Sequence, residues 1–101
     1  FAQRILSESE CIEYDAQPRQ AQFLARRFAA KEALVKAAGT GFRTGLYPRD
    51  ISVQHDRLGK PELRFSPRAK DRLDQLGVSA SHLSISDEPE YALACVLLEK
   101  A

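Results

Sequence analysis

The stretch Arg27-Phe28-Ala29-Ala30-Lys31-Glu32-Ala33-Leu34-Val35-Lys36-Ala37-Ala38-Gly39-Thr40-Gly41 decides how the rest of the chain reads. It is rich in Ala, Leu, Lys, Arg and Glu, which lose little rotamer freedom in a helix. Leu24, Phe28 and Val35 fall on one stripe at helical spacing. Pro18 suits a first turn, where no amide donor is needed, so a helix is predicted from about Pro18 to Ala38. Gly39-Thr40-Gly41 ends it, because glycine alone takes the left-handed cap conformation without penalty.

Working outward, Phe1 to Leu6 read as the end of one helix, with Phe1, Ile5 and Leu6 on one side. Ser7-Glu8-Ser9-Glu10 matches a capping box and predicts a short helix to about Tyr14. Downstream the period changes. Ile51 and Val53, then Leu63 and Phe65, alternate with polar residues around Gly59-Lys60-Pro61, which predicts a hairpin with its turn near Asp56 to Gly59. Ser66 or Pro67 opens a further helix through Ala69, Leu73 and Leu76, ended by Gly77. Leu83 and Ile85 alternate with Ser84 and Ser86, Asp87-Glu88-Pro89-Glu90 turns, and Tyr91 to Leu98 reads as a central apolar strand. Helices first and antiparallel hairpins later imply an α+β fold, helices packed on an antiparallel sheet.

The chain has 101 residues, 44% of them hydrophobic and 29% charged. That length predicts one domain over residues 1–101, with a core that stands without metal or disulfide staples. No apolar run approaches the roughly 20 residues of a membrane span, and no signal-peptide pattern opens the chain, so a membrane role is not expected. Cys11 and Cys95 are the only cysteines; widely spaced, they read as reduced thiols of a cytoplasmic protein, with Cys95 in the core. The chain holds no methionine and begins at Phe1, so further residues are expected upstream.

The net charge of +1 hides blocks of opposite sign: residues 7–15 sum to −4, residues 19–43 to +5 and residues 87–101 to −3. The basic block contains one acid, Glu32. Glu32 and Lys36 lie four apart and share a helix face with Phe28. One reading is a surface ion pair contributing a few tenths of a kcal/mol. The other is an anion site in which Arg27, Lys31 and Lys36 bind phosphate and Glu32 holds a divalent ion, since Mg²⁺ typically uses only one or two carboxylates. Neither a P-loop nor a dinucleotide-binding glycine motif occurs. In His82-Leu83-Ser84-Ile85-Ser86, a core-facing Leu83 and Ile85 would place His82, Ser84 and Ser86 on the opposite face, as plain solvent exposure or as the lining of a polyanion groove.

The run from Arg27 to Gly41 resembles the signature helix of the holo-[acyl-carrier-protein] synthase family, the small bacterial 4′-phosphopantetheinyl transferases. Phe1-Ala2-Gln3-Arg4-Ile5-Leu6-Ser7 with Glu10, Gly59-Lys60-Pro61, and His82-Leu83-Ser84-Ile85-Ser86 with Tyr91-Ala92 resemble three further segments of that family in the same order. The resemblance implies a compact α+β domain that assembles as a homotrimer with active sites at subunit interfaces. It implies transfer of 4′-phosphopantetheine from coenzyme A to a serine of apo-acyl carrier protein, with Mg²⁺, releasing adenosine 3′,5′-bisphosphate.

Residue by residue, the resemblance implies that Glu32 holds the metal, that Lys36 meets the coenzyme A pyrophosphate, and that Arg27 and His82 contact its phosphates. Lys31 belongs to the same cationic group, Gly39, Thr40 and Gly41 line that site, and Phe1 and Arg4 dock the carrier. Glu32, or water on its metal, is the candidate base. The family's first strand carries a Thr-Asp pair whose aspartate is a second metal ligand; no such segment occurs in this chain, and Asp87 stands where some relatives have histidine. The competing reading is a non-catalytic module whose basic helix binds nucleic acid or an acidic protein. Glu32 separates the two, because a metal-free phosphate surface gains nothing from a carboxylate at its centre.

Overall fold

A computed structural model describes residues 1–88 and 90–101. Among the described residues nine elements follow one another: α1 (Ala2–Ile5), α2 (Glu8–Asp15), α3 (Gln20–Ala38), a 3-10 turn (Pro48–Asp50), β1 (Ile51–His55), β2 (Pro61–Phe65), α4 (Pro67–Gln75), β3 (Val78–Asp87) and β4 (Ala92–Lys100). The expected α+β architecture is present, with helices packed on antiparallel strands. The Ser7 capping box forms as read, with Ser7 Oγ accepting from the Glu10 amide and Glu10 Oε1 accepting from the Ser7 amide. Gly39 closes α3 in the left-handed region at φ 78°. The Glu88 amide donates to the Tyr91 carbonyl; Pro89, part of the turn expected over Asp87 to Glu90, lies outside the described residues.

Two antiparallel hairpins make up the strand layer. β1 pairs with β2 (Ile51 opposite Phe65, Val53 opposite Leu63), and β3 pairs with β4 (His82 opposite Leu97, Ser84 opposite Cys95). β4 is therefore not central: β3 is its one hydrogen-bonded neighbour among the described residues. Ala94, Val96 and Leu98 pack against the core, whereas Leu93 and Leu97 are about three-fifths exposed and Cys95 is exposed. The Tyr91 to Leu98 run is apolar on both faces, so its sequence conceals a period of two that burial makes plain. The expectation of a core Cys95 is corrected for the same reason.

The buried stripe of α3 is Phe23, Arg27, Ala30, Lys31, Leu34 and Val35. The sequence stripe was one position off for Leu24 and Phe28, which are only half-buried. The reason is that two of the inward positions are cationic, and hydropathy assigns cations to solvent. Glu10 and Lys31 are fully buried. The Lys31 ammonium donates to Glu10 Oε1 at 2.6 Å, to the Pro48 carbonyl at 2.8 Å and to the Ile51 carbonyl, which uses all three of its protons. Arg27 donates to Glu10, to Glu13 and to the Val53 carbonyl at 2.9 Å, with its guanidinium 4.4 Å from the centre of the Phe23 ring. The Val53 amide donates to Glu10 Oε2 at 3.0 Å. These side chains thus satisfy the outer edge of β1, which a neighbouring strand would otherwise have to pair.

Burial works against ionisation of Glu10, but the Lys31 charge and the hydrogen bonds from Lys31, Val53 and Ser7 outweigh it, holding the carboxyl below its ordinary range. The same burial pulls the Lys31 ammonium down against the attraction of Glu10. Each charge of the pair carries a full set of hydrogen bonds, as a buried ion pair requires. Removing one member strands the other, which costs about 3–5 kcal/mol. Lys31→Met should lower the stability measured by urea unfolding by about that amount. A second expectation concerns acid. A carboxyl whose folded pKa lies below its unfolded one contributes stability that is complete above the ordinary value of 4.5 and lost as pH falls through the lower folded value. Wild type should therefore lose more stability than Glu10→Gln between pH 6 and pH 3; equal losses would show that Glu10 is not the group responsible.

Candidate active site

With Lys31 turned inward, helical geometry decides where its neighbours point. Each residue advances about 100° around the axis, so Glu32 and Lys36 lie roughly 40° apart on a flank that Lys31 does not occupy. Glu32 is half-buried and Lys36 exposed. Among the described residues neither makes an ion pair or a side-chain hydrogen bond, so the surface-pair reading of these two residues is not realised. They stand as an unengaged carboxylate and an unengaged ammonium side by side.

The chain leaves α3 one turn after Lys36. The Gly39 amide donates to the Lys36 carbonyl, and the Thr40 and Gly41 amides to the Val35 carbonyl, at 3.1–3.3 Å. Gly39 and Gly41 both have positive φ, and both are exposed with open space around them, so a ligand can approach the backbone closely here. Thr40 Oγ1 donates to the Gly41 carbonyl at 2.8 Å. Phe42 then folds back and stacks on Phe28, with ring centres 5.9 Å apart.

The other predicted site residues are placed as follows. Arg27 and Lys31 are buried, and their charges meet Glu10, Glu13 and the Pro48, Ile51 and Val53 carbonyls. His82 is exposed on the outer face of β3 with Ser84 and Ser86, and its Nε2 lies 2.6 Å from Glu99 Oε1. Phe1, at the N-cap of α1, and Arg4, within it, are exposed, and α1 packs against the turn Pro48–Asp50. Sequence reasoning missed a cleft of about 340 Å³ lined by Arg26, Arg27, His55, Gly59, Pro61, Ile85 and Asp87. It joins the Gly59-Lys60-Pro61 turn to α3, and the Arg26 to Asp87 bridge at 3.1 Å spans it. The long sequence separation of those residues hid it.

Among the described residues no three His, Cys, Asp or Glu side chains converge into a metal cage. One unengaged carboxylate beside a lysine and an open glycine backbone fits a different arrangement: a hard cation held by one protein oxygen, with water and phosphate oxygens completing the shell. The arrangement can bind a polyphosphate and neutralise charge as one of its bonds breaks.

The sequence profile of the 4′-phosphopantetheinyl transferase superfamily matches residues 1–96. The holo-[acyl-carrier-protein] synthase of Vibrio cholerae is 50% identical over 99% of this chain and 79% of its own length. That of Halorhodospira halophila is 54% identical over 97% of this chain and 78% of its own. Among solved structures, the holo-[acyl-carrier-protein] synthase of Neisseria meningitidis superposes with a TM-score of 0.95 at 45% identity, covering 99% of this chain and 80% of that one. The Helicobacter pylori holo-[acyl-carrier-protein] synthase, solved in complex with coenzyme A, superposes with a TM-score of 0.82 at 28% identity over 98% and 81% of the two chains. With a matching profile along nearly its whole length, close relatives on the same fold, and the signature helix carrying a free Glu32 and Lys36, the chain belongs to the 4′-phosphopantetheinyl transferase superfamily.

Proposed function

We propose that this protein transfers 4′-phosphopantetheine from coenzyme A to a serine of apo-acyl carrier protein. The observation that carries the reading is the unengaged Glu32 carboxylate beside the exposed Lys36 on α3, followed in the chain by the open Gly39–Gly41 backbone. In the reaction the serine hydroxyl attacks the phosphorus that bears the pantetheine arm, the pyrophosphate bridge breaks, and adenosine 3′,5′-bisphosphate leaves. Glu32 is the residue that would hold Mg²⁺, which when bound neutralises phosphate oxygens. Lys36 meets the pyrophosphate and stabilises the charge that builds on the leaving group. Glu32, directly or through a water, accepts the serine proton. Gly39, Thr40 and Gly41 line the phosphate site with backbone, and His82 contacts a further phosphate once it exchanges Glu99 for the ligand. Arg27 and Lys31 serve the site from beneath, by fixing the rotation of α3.

Phe1 and Arg4, both exposed, offer an apolar and a cationic contact to an acidic carrier. The uncovered stripe of Leu93, Cys95 and Leu97 on β4, with Tyr91 at its end, supports assembly of several copies, and a homotrimer is the arrangement proposed. No described helix is long and apolar enough to cross a membrane; a cytoplasmic location is proposed with the function. The alternative of a basic helix gripping nucleic acid loses ground because half of the basic block is engaged within the fold: Arg27 and Lys31 are buried, and Arg26 is paired with Asp87, which thins the row of cations that a backbone-tracking surface needs.

Glu32→Gln should abolish Mg²⁺-dependent transfer while the circular dichroism spectrum and unfolding midpoint stay at wild-type values. Near wild-type turnover at saturating Mg²⁺ would sink the assignment. Lys36→Ala removes an exposed, unpaired side chain, so stability should change by less than about 0.5 kcal/mol. Losing one preorganised donor at a developing charge is worth about 2 to 4 kcal/mol. The expected outcome is therefore a fall of about 10² to 10³ in kcat/KM for coenzyme A, read by steady-state kinetics at fixed carrier concentration.

A further inference from the structure

We propose that Arg68 is a positioning residue: its grip on Asp50 sets the placement of the loop that leaves α3, and through that loop the affinity for coenzyme A. This rests on the reading of Gly39–Gly41 as lining the coenzyme A site.

Residues 39–47 carry no regular hydrogen-bonded ladder, so the loop's course depends on a few anchors. At its start Phe42 stacks on Phe28. At its end Leu46 is fully buried in the core, and Asp50 gathers the chain beyond it. Arg68 Nε donates to Asp50 Oδ1 and Arg68 Nη2 to Oδ2, both at 2.9 Å, a two-pronged fork. Ser66 Oγ donates to Oδ1 at 2.7 Å and the Tyr47 amide to Oδ2 at 3.2 Å. The Arg68 guanidinium also covers the Tyr47 ring at 5.2 Å. One residue earlier in that end of the loop, Gly45 has φ 85°, and a Cβ there would come within 3.3 Å of the Arg68 carbonyl oxygen. The loop backbone is thus pressed against the first turn of α4, where the Arg68 carbonyl meets Gly45 and the Arg68 side chain meets Tyr47 and Asp50.

α4 itself does not need this side chain. Ser66 caps it by accepting from the Ala69 amide, Pro67 starts it, and Ala69 and Leu73 anchor it in the core. The Arg68 side chain is two-thirds exposed, so it contributes little to the core. Among the described residues, its hydrogen bonds and its ring contact fall on Asp50 and Tyr47. With Arg68 gone, the Phe42 stack and the buried Leu46 would have to hold the loop without the Asp50 fork, and the course of the Gly39–Gly41 backbone would loosen with it. Substrate binding, not chemistry, is then the step that suffers.

The test is steady-state kinetics on both substrates, with thermal unfolding, for Arg68→Ala and Arg68→Lys beside wild type, Glu32→Gln and Lys36→Ala. Arg68→Ala should raise KM for coenzyme A about tenfold with kcat within threefold, the pattern of lost binding common to ground and transition states. KM for the carrier should not move. Arg68→Lys should fall between, because a compact ammonium cannot make both bonds of the fork. A KM for coenzyme A within twofold of wild type, while Glu32→Gln and Lys36→Ala lose transfer, would overturn the positioning role and leave the site assignment standing. A joint decline of kcat, both KM values and the unfolding midpoint would overturn it in favour of a purely structural role. Absence of transfer by wild type would remove the site assignment and this inference with it.

Discussion

A single carboxylate at the centre of the protein, that of Glu10, receives four donors from three directions: the Ser7 amide, the Lys31 ammonium, the Arg27 guanidinium and the Val53 amide. Through them α2, α3 and β1 meet at one point. An apolar trio of similar volume could bury as much surface, and buried ion pairs are often matched in stability by such replacements. Directionality is what the charged version adds. Lys31 must reach the Ile51 and Pro48 carbonyls, and Arg27 the Val53 carbonyl, so α3 has one permitted rotation about its axis. That rotation carries Glu32 and Lys36 to the outside as a pair.

The charge pattern takes on a different meaning in this light. In sequence, the acidic block before Pro18 and the basic block after it look like two separate surfaces. In space they are sewn together, Glu10 and Glu13 from the first taking Arg27 and Lys31 from the second. Asp87, from the third block, takes Arg26. The field that a phosphate ligand would meet is set by the few cations left over, Lys36 foremost, rather than by the block total.

Local features were legible because local physics fixes them. The Ser7 box, the Gly39 stop, the Ser66 start and both hairpins follow from capping and turn chemistry within a few residues. The site's outline followed as well, since Glu32, Lys36 and Gly39–Gly41 are contiguous. What escaped was set by distant partners. Lys31 and Arg27 looked like surface cations because Glu10 lies 21 and 17 residues away. The Asp50 to Arg68 fork spans 18 residues with nothing in either neighbourhood to announce it. β4 misled for the opposite reason: an unbroken apolar run carries no record of which face is covered.

The bond between the Glu10 carboxylate and the Val53 amide bridges 43 residues of chain, and this has a consequence for how the molecule comes together. Neither end gains from partial assembly. A carboxylate leaving water needs all its donors in place, and the β1 edge cannot shed its hydration until the carboxylate and both cations arrive. Loop-closure entropy over that span must be met before any of the reward is collected. The helical half and the first hairpin are thereby bound into one all-or-none unit, whereas β3 and β4, consecutive in the chain, can find their register by themselves.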